Sequence, residues 1–425
     1  MSILIKNGHI IYGENLEVIK ADILIEGNKI VEVARSISKS ADTVIDAKGK
    51  VISPGFINAH THSPMTILRG LADDLPLMDW LQNHVWPIEK RLTSKHIYWG
   101  GLLGILEMIK GGTTTFVDMY FHMEEVAKAV ENAGMRAYLS YGMVDLGDEE
   151  KRNAEIEETL RLLDFIKKLG SPRIEFLFGP HAPYTCSPEL LKWVREKATE
   201  TGRMITIHLN ETKNEVRSIK EKYGMTPVEF LDDLGFLGDD VIAAHGVWLS
   251  DEEIEILARK GVTIVHNPAS NMKLASGVMP LERLLKAGVN IALGTDGSAS
   301  NNNLDMLEEM KIAALLHKVH NLNPTVADVR TVFKMATQNG AKALHLNAGV
   351  IREGALADLV IVDFNRPHLR PINSVISHLV YSANGNDVET TIVDGKILML
   401  DGEVLTLDEE KILGKAEEVV KKLAG

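Results

Sequence analysis

Eight short apolar runs, each followed by a stretch with helical periodicity, succeed one another through the middle of this chain. They are VISPGFINAHTH, TTTFVDMY, RAYLSYG, RIEFLFGP, MITIHLNE, VIAAHGVWLS, VTIVHNPAS and VNIALGTDGS. Between them lie amphipathic segments such as MEEVAKAVENAG and SPELLKWVREKATETG. Strands that alternate with helices run parallel, because each helix carries the chain back to the start of the next strand. Eight such units over roughly 250 residues predict an α/β fold built as a (β/α)8, TIM-like barrel. In that architecture the chemistry gathers at the carboxyl ends of the strands, so the residues that end each run are the ones to inspect.

The two ends of the chain have a different texture. ILIEGNKIVEVA and ADTVIDAKGKVISPG near the start, and ADLVIVDF and ETTIVDGKILMLDGEVL near the end, are short Val/Ile-rich runs parted by Gly and Asn. They predict a small β-sandwich domain formed jointly by the N- and C-terminal segments, residues 1–54 plus 350–407. The barrel then spans 55–349, and the charged segment at 408–425 forms a docked C-terminal helix.

A formal charge of −13 leaves no basic stripe able to neutralise a phosphate backbone, which argues against a nucleic-acid partner and for a small molecule. The single cysteine, Cys186, excludes a disulfide framework and a cysteine-rich zinc site, so any metal must be held by histidine and carboxylate. The opening MSILIKNGHIIYG alternates and carries Lys6 inside its apolar run, which reads as a strand and not as a signal peptide. No segment is long and apolar enough to span a membrane. The expectation is a cytoplasmic protein that binds neither membrane nor nucleic acid.

The strand ends carry a consistent set of polar residues. His60 and His62 end the first run, His181 the fourth, His208 with Glu211 the fifth, His245 the sixth, His266 the seventh and Asp296 the eighth. Side chains two apart on a strand share a face, so His60 and His62 both point into the barrel mouth, where two neutral imidazoles can take one cation. An H-x-H pair alone is weak evidence, because single histidines are common in cores and loops. A third histidine and an aspartate arriving at the same end make a cation site the expectation. Nitrogen and carboxylate donors without a thiolate suit zinc or iron, and an open position for water marks a catalytic site. The fourth run, RIEFLFGPHAPYT, offers no lysine or glutamate as a bridging ligand, which predicts one ion per subunit. Glu211, three residues past His208, is placed to take a proton from a water activated by that ion. Asp296 can accept a hydrogen bond from the same water, and His245 can orient it. His266 reads as structural, or as support behind the site.

At this point several motifs resemble a known family. VISPGFINAHTH, HLNE, AAHGVWLS, NPASNMKLASG, LGTDGSASNN and AGVIREGALADLVIVD resemble the amidohydrolase superfamily. More narrowly, SPMTILRGLADDLPLMDWLQNHVWPIEKRLT and FGPHAPYTCSPELL resemble the 5-methylthioadenosine/S-adenosylhomocysteine deaminases, and the likeness covers essentially the whole chain. The resemblance implies hydrolytic deamination of the purine ring of 5′-substituted adenosines, with Zn2+, or alternatively Fe2+, as cofactor. By motif position it implies His60, His62, His208 and Asp296 as metal ligands and Glu211 as a proton shuttle that also contacts the purine. It further implies His245 as a polarising group, Glu89 as the holder of the ribose hydroxyls, His181 as a nucleoside contact and Trp80 as a stacking or walling side chain. A homo-oligomer, dimer or tetramer, belongs to the same implication. One departure concerns an arginine that some relatives use after the third strand: Arg152 and Arg161 both read here as exposed helix residues.

Each residue also has a plainer reading. Glu89 sits in the charged run EKR, which usually marks a solvated helix face. Trp80 and Trp86 would serve as core, and His181, between Pro180 and Pro183, would stiffen a turn. Two other functions stay open. A guanine deaminase or triazine-type aromatic hydrolase would use the same cation site and differ in whether Glu89 meets a ribose. A non-catalytic scaffold would be free to lose its metal ligands, whereas this chain keeps them together with Glu211.

Overall fold

The structure, a computed structural model, describes residues 2–75 and 79–424, so positions 76–78 of the SPMT…KRLT motif lie outside the described residues. The chain begins with β1 (Ser2–Tyr12), β2 (Glu17–Glu26), β3 (Lys29–Ala34), β4 (Thr43–Asp46) and β5 (Val51–Pro54). The middle contributes β6 (Phe56–Thr61), β7 (Thr113–Tyr120), β8 (Arg136–Met143), β9 (Ile174–Phe176), β10 (Gly179–Pro180), β11 (Ile205–Leu209), β12 (Val241–His245), β13 (Thr263–His266) and β14 (Asn290–Leu293). The last strands are β15 (Leu359–Val362), β16 (Val388–Val393), β17 (Lys396–Leu400) and β18 (Glu403–Val404).

The middle strands form the expected parallel barrel. β6, β7 and β8 pair in parallel with β9 and β10 beyond them, and β11 to β14 pair in sequence order. Parallel bridges from Phe178 to Ile205 and from Thr61 to Asp296 join the two sets at both seams. β9 and β10 count as one interrupted strand, which restores the eightfold pattern. Every residue of β6, β7 and β11 is buried, as parallel strands must be when one face meets the barrel interior and the other the helices.

Local sequence explains how the helices are set on the strands. In the helix Pro188–Thr201 the Ser187 side chain accepts from the Leu190 N–H, and Pro188 occupies the first turn, where its missing N–H costs nothing. Leu190, Leu191, Val194 and Ala198 form the buried stripe, and Gly202, at φ 63°, ends the helix in a left-handed turn. The C-terminal helix Glu409–Ala424 likewise buries Ile412, Ala416 and Val419 and so docks on the body of the protein.

Strands from both chain ends share one nine-stranded sheet, in the order β18-β17-β16-β15-β5-β1-β2-β3 with β4 also paired to β1. β1 changes partner along its length: Ile3 to Lys6 pair with β4, whereas His9 and Ile10 pair with β5. The irregularity between Ile5 and Gly8 marks a bulge, which bends and twists a strand. The sheet therefore curls around an isoleucine-rich core that includes Ile5, Ile23, Ile52, Ile361 and Ile392. Strands from the two chain ends thus meet on one core, as the sequence predicts.

VISPGFINAHTH reads as one strand but divides at Gly55. Val51–Pro54 pairs antiparallel with β15, and only Phe56–Thr61 enters the barrel. The break reflects close packing, since a Cβ at Gly55 would lie 2.2 Å from the Thr114 side chain. No helix among the described residues is long and apolar enough to cross a membrane.

The barrel and the curled sheet are tied by a buried cation. Arg136, at the start of β8, donates to Asp358 at 3.0 and 3.4 Å and to Asp394 at 3.0 Å. Removing one partner of a buried ion cluster strands the remaining charges, so Arg136→Met is expected to lower the unfolding free energy by ~3–5 kcal/mol. Denaturant titration of the whole chain measures this; a loss of less than ~1 kcal/mol, the value of a surface pair, would contradict it.

Candidate metal centre and active site

The site is built where strands end and turns begin. His60 lies within β6, and His62 stands just past it, where the chain turns into the 3-10 helix Ser63–Leu68. Asp118, from β7, holds that turn by accepting from the Ser63 N–H at 2.8 Å, the Ser63 hydroxyl at 2.5 Å and the Thr61 hydroxyl at 3.1 Å. The barrel seam fixes Asp296 beside His60, because the Asp296 N–H donates to the His60 carbonyl at 3.0 Å. That approach needs Gly294: a Cβ there would meet the His60 nitrogen at 2.9 Å.

The result is a tight donor set. The ligand atoms of His60, His62 and His208 lie within 4.8 Å of one another. Asp296 Oδ1 stands 3.2 Å from His62 Nε2 and 3.5 Å from His60 Nε2. Its other oxygen accepts from Ser270 at 2.6 Å and Ser300 at 3.1 Å, and the Gly297 N–H donates to Oδ1 at 2.8 Å. His245 and Asp296 both adopt positive φ, 78° and 63°, a backbone state that non-glycine residues reach only under constraint.

Two tautomers follow from the hydrogen bonds. His62 Nδ1 is 2.6 Å from the Met119 carbonyl, and His208 Nδ1 is 2.7 Å from the His181 carbonyl. A carbonyl only accepts, so both Nδ1 atoms carry hydrogen, and each ring when neutral turns a bare Nε2 lone pair inward. Those two Nε2 atoms face each other at 3.3 Å. His60 Nε2 is buried with no hydrogen-bond partner. Lone pairs converging in this way are stabilised by a cation between them, and nitrogen donors with one carboxylate suit a divalent ion.

Burial and charge tune the same groups. Burial pulls His60 down to about 4 and His181 to about 3, and it holds His208 well below the usual imidazole range, so these rings stay neutral. Burial also works against charge on His62, but the Asp296 carboxylate outweighs it and raises His62 to about 9. Asp296 itself is opposed by burial yet held well below the usual carboxylate range by His60 and His62. The pocket favours positive charge at this point, whichever cation supplies it.

The remaining predicted residues take varied places. Glu211 is raised above the usual carboxylate range by burial, with the His245 charge opposing; its Oε2 lies 3.9 Å from His245 Nε2 and its Oε1 accepts from Ser276 at 3.4 Å. His245 Nδ1 is 2.9 Å from Asn271 Oδ1. His181 packs against the His208 ring, with centroids 4.7 Å apart, and its Nδ1 meets the Thr185 hydroxyl at 2.9 Å. Glu89 is half-buried at the end of the short helix Trp86–Glu89, where Oε1 accepts from the Tyr120 hydroxyl at 2.6 Å, so it is not a freely solvated helix charge. Trp80 is buried in the main core, whereas Trp86 is exposed and contributes no core. His266 is buried outside the donor set, with its Nε2 2.9 Å from His317 Nε2.

One expectation is corrected. Arg152 was expected to be exposed, but the helix Glu149–Leu169 turns it inward, with 18% of its side chain accessible and the guanidinium 3.8 Å from Asp145. Arg161, one face away, is exposed and pairs with Glu158 as expected. Sequence reasoning missed Ser270, Asn271, Ser300 and Tyr120. The available signal was position: three are small polar residues in the short helices Pro268–Lys273 and Ser298–Asn301 that follow β13 and β14, and Tyr120 ends β7.

A barrel with this donor set at its mouth defines a metal-dependent hydrolase. The profile of the Amidohydrolase family matches residues 51–398, and the chain belongs to that family. It is 78% identical over 400 residues, 94% of each chain, to the 5-methylthioadenosine/S-adenosylhomocysteine deaminase of Thermococcus sibiricus. It is 52% identical over 423 residues to the 5′-deoxyadenosine deaminase of Methanosarcina mazei, covering 99% of this chain and 98% of that one. Among solved structures, an adenosine deaminase from Xanthomonas campestris with bound zinc superposes with a TM-score of 0.94 at 34% identity, over 99% of this chain and 98% of that one. The family, the zinc in that structure and the three-histidine cluster support a divalent metal as cofactor.

His208→Ala is expected to weaken divalent-ion binding by more than ~100-fold, the upper range for losing a mere outer-sphere partner. Competition against a chromophoric chelator reads this out, and an unchanged affinity would contradict the site.

Proposed function

We propose that this chain catalyses the hydrolytic deamination of 5′-substituted adenosines, such as 5′-methylthioadenosine and S-adenosylhomocysteine, to the inosine analogues. The observation that carries the reading is the convergence of His60, His62, His208 and Asp296 beside a buried Glu211 in a chain 78% identical to a deaminase of that name. In this reading the four donors hold one Zn2+ per subunit. The zinc in the Xanthomonas relative supports that ion over Fe2+.

Hydrolytic deamination adds the oxygen of water to the ring carbon that bears the amine, places one water proton on the ring nitrogen and the other on the amine, and releases ammonia. A divalent ion in the donor set supplies a nucleophile at neutral pH by lowering the pKa of water. Glu211 has the position and the raised proton affinity to take the water proton and return it to the ring nitrogen or the departing amine. His245, whose Nδ1–H is held on Asn271, keeps its Nε2 edge toward Glu211 and orients the attacking water. Asp296, fixed by Ser270 and Ser300, accepts a hydrogen bond from that water.

Glu89 would receive the ribose hydroxyls as charge-assisted bonds, with Tyr120 fixing its orientation. His181 would contact the nucleoside, and Trp80 would wall the pocket. A homo-oligomeric assembly, dimer or tetramer, rests on the family resemblance.

Ammonia release measured over methylthioadenosine, adenosylhomocysteine, deoxyadenosine, adenosine, guanine and an amino-triazine tests the reading. Turnover is expected for the 5′-substituted adenosines. Preference for guanine or the triazine would replace the reading, and no turnover of any of them by metal-loaded protein would favour a scaffold. A second test concerns the sugar. Glu89→Ala is expected to lower kcat/KM for nucleosides by on the order of 100-fold, as expected when a charged hydrogen bond is lost from a buried site. A loss equal to that for the free base adenine would contradict a ribose contact.

A further inference from the structure

Two buried glutamates stand next to the chemistry without taking part in it. Glu215 and Glu253 lie in the first turns of the helices that follow β11 and β12, Lys213–Tyr223 and Asp251–Lys260, and are 4% and 2% exposed. The backbone N–H of each donates to the hydroxyl of the residue before its helix, Thr212 and Ser250, as in a helix-capping pair. A capping role needs one carboxylate oxygen reaching back to the main chain just ahead of the helix. Glu253 does this with one oxygen and has the other free for a further bond, whereas Glu215 turns both oxygens past Thr212 to the residues before it. Glu215 Oε1 accepts the Asn210 N–H at 3.0 Å and Oε2 the Glu211 N–H at 2.8 Å. Glu253 Oε2 accepts the Ser250 N–H at 2.8 Å, while Oε1 accepts the Asn210 side-chain amide at 3.0 Å. Both carboxylates thus converge on Asn210.

Asn210 is fully buried and left-handed, with φ 51°. Its side-chain amide also donates to the Trp248 carbonyl at 2.7 Å, and its own carbonyl accepts the N–H groups of Val247 and Trp248 at 3.0 and 2.9 Å. A left-handed residue redirects the chain at the end of β11, so its conformation decides where the next side chain points. That next residue is Glu211.

We propose that Glu215 and Glu253 form a clasp on Asn210 that positions the Glu211 carboxylate for proton transfer, an inference that rests on Glu211 being the proton shuttle. Glu215, Glu253 and Asn210 are positioning residues and touch neither substrate nor metal. Displacing a reacting group by ~1 Å costs on the order of 100-fold in rate, so the clasp matters for kcat more than for binding.

The test pairs kinetics with hydrogen exchange on metal-loaded protein. Glu215→Gln turns one acceptor into a donor that faces an N–H. It is expected to speed exchange of the Asn210 and Glu211 amides about tenfold, the worth of one charge-assisted bond. It is also expected to lower kcat by about 10- to 100-fold, with KM changed less than about threefold. In a Glu211→Gln background the same substitution should cause less than about a twofold further loss, because residues acting through one group are not additive. Should Glu215→Gln fail to fold, Asn210→Asp breaks the other half of the clasp by setting an oxygen against Glu253. Adding Glu253→Gln, whose amide can donate to that oxygen, is expected to recover part of the lost kcat. Unchanged exchange, unchanged kcat, or losses that multiply in the double variant would overturn the clasp and leave helix capping as its whole role. Wild-type turnover in Glu211→Gln alone would instead overturn the proton-shuttle reading, and the positioning role with it.

Discussion

The geometry of this molecule turns on two imidazole nitrogens that face each other at 3.3 Å. Neither ring can turn its hydrogen inward by changing tautomer, because the Met119 and His181 carbonyls claim the two Nδ1 hydrogens, so a proton on His62 or a metal ion must stand between the two Nε2 atoms. The Met119 carbonyl belongs to β7, and the His181 carbonyl, just past β10, also accepts the His208 N–H at 2.9 Å. The fold therefore fixes a point of negative potential at its mouth, and Asp296 completes it from the closing seam. A positive charge there is a structural requirement before it is a catalytic one.

Backbone strain is present at the same rim. Asn210, His245 and Asp296 are non-glycine residues with positive φ, and each sits at or just past the end of a barrel strand. Such conformations persist only where surrounding contacts over-determine them. Here the contacts are buried polar ones: two glutamates on Asn210, Asn271 on His245, and two serines on Asp296. Cohesion is supplied elsewhere, by fully buried strands, by apolar helix stripes such as Leu190, Val194 and Ala198, and by the Arg136 cluster that ties the barrel to the curled sheet.

Much of this was legible in the sequence because it follows from periodicity. The eightfold alternation gives the barrel, and the polar residue at each strand end gives the donors, since a parallel strand has one carboxyl end and all such ends face the same way. What stayed hidden depends on tertiary bonds with no period of their own. Glu215 and Glu253 look like ordinary helix-capping glutamates until their second oxygens are traced to Asn210. Tyr120 looks like a core aromatic until its hydroxyl meets Glu89. Arg152 could not be placed because a charged helix face and an inward-turned guanidinium have the same local sequence. The split at Gly55 was hidden for a similar reason: only the approach of Thr114 distinguishes it from a continuous strand.

Diffraction from crystals of the purified protein, recorded on both sides of the zinc absorption edge, tests the central claim most directly. The expected result is a single anomalous peak per chain, about 2.0–2.2 Å from Nε2 of His60, His62 and His208 and from an Asp296 oxygen. A metal-replete crystal with the peak elsewhere, or with these four side chains turned away from it, would contradict the claim.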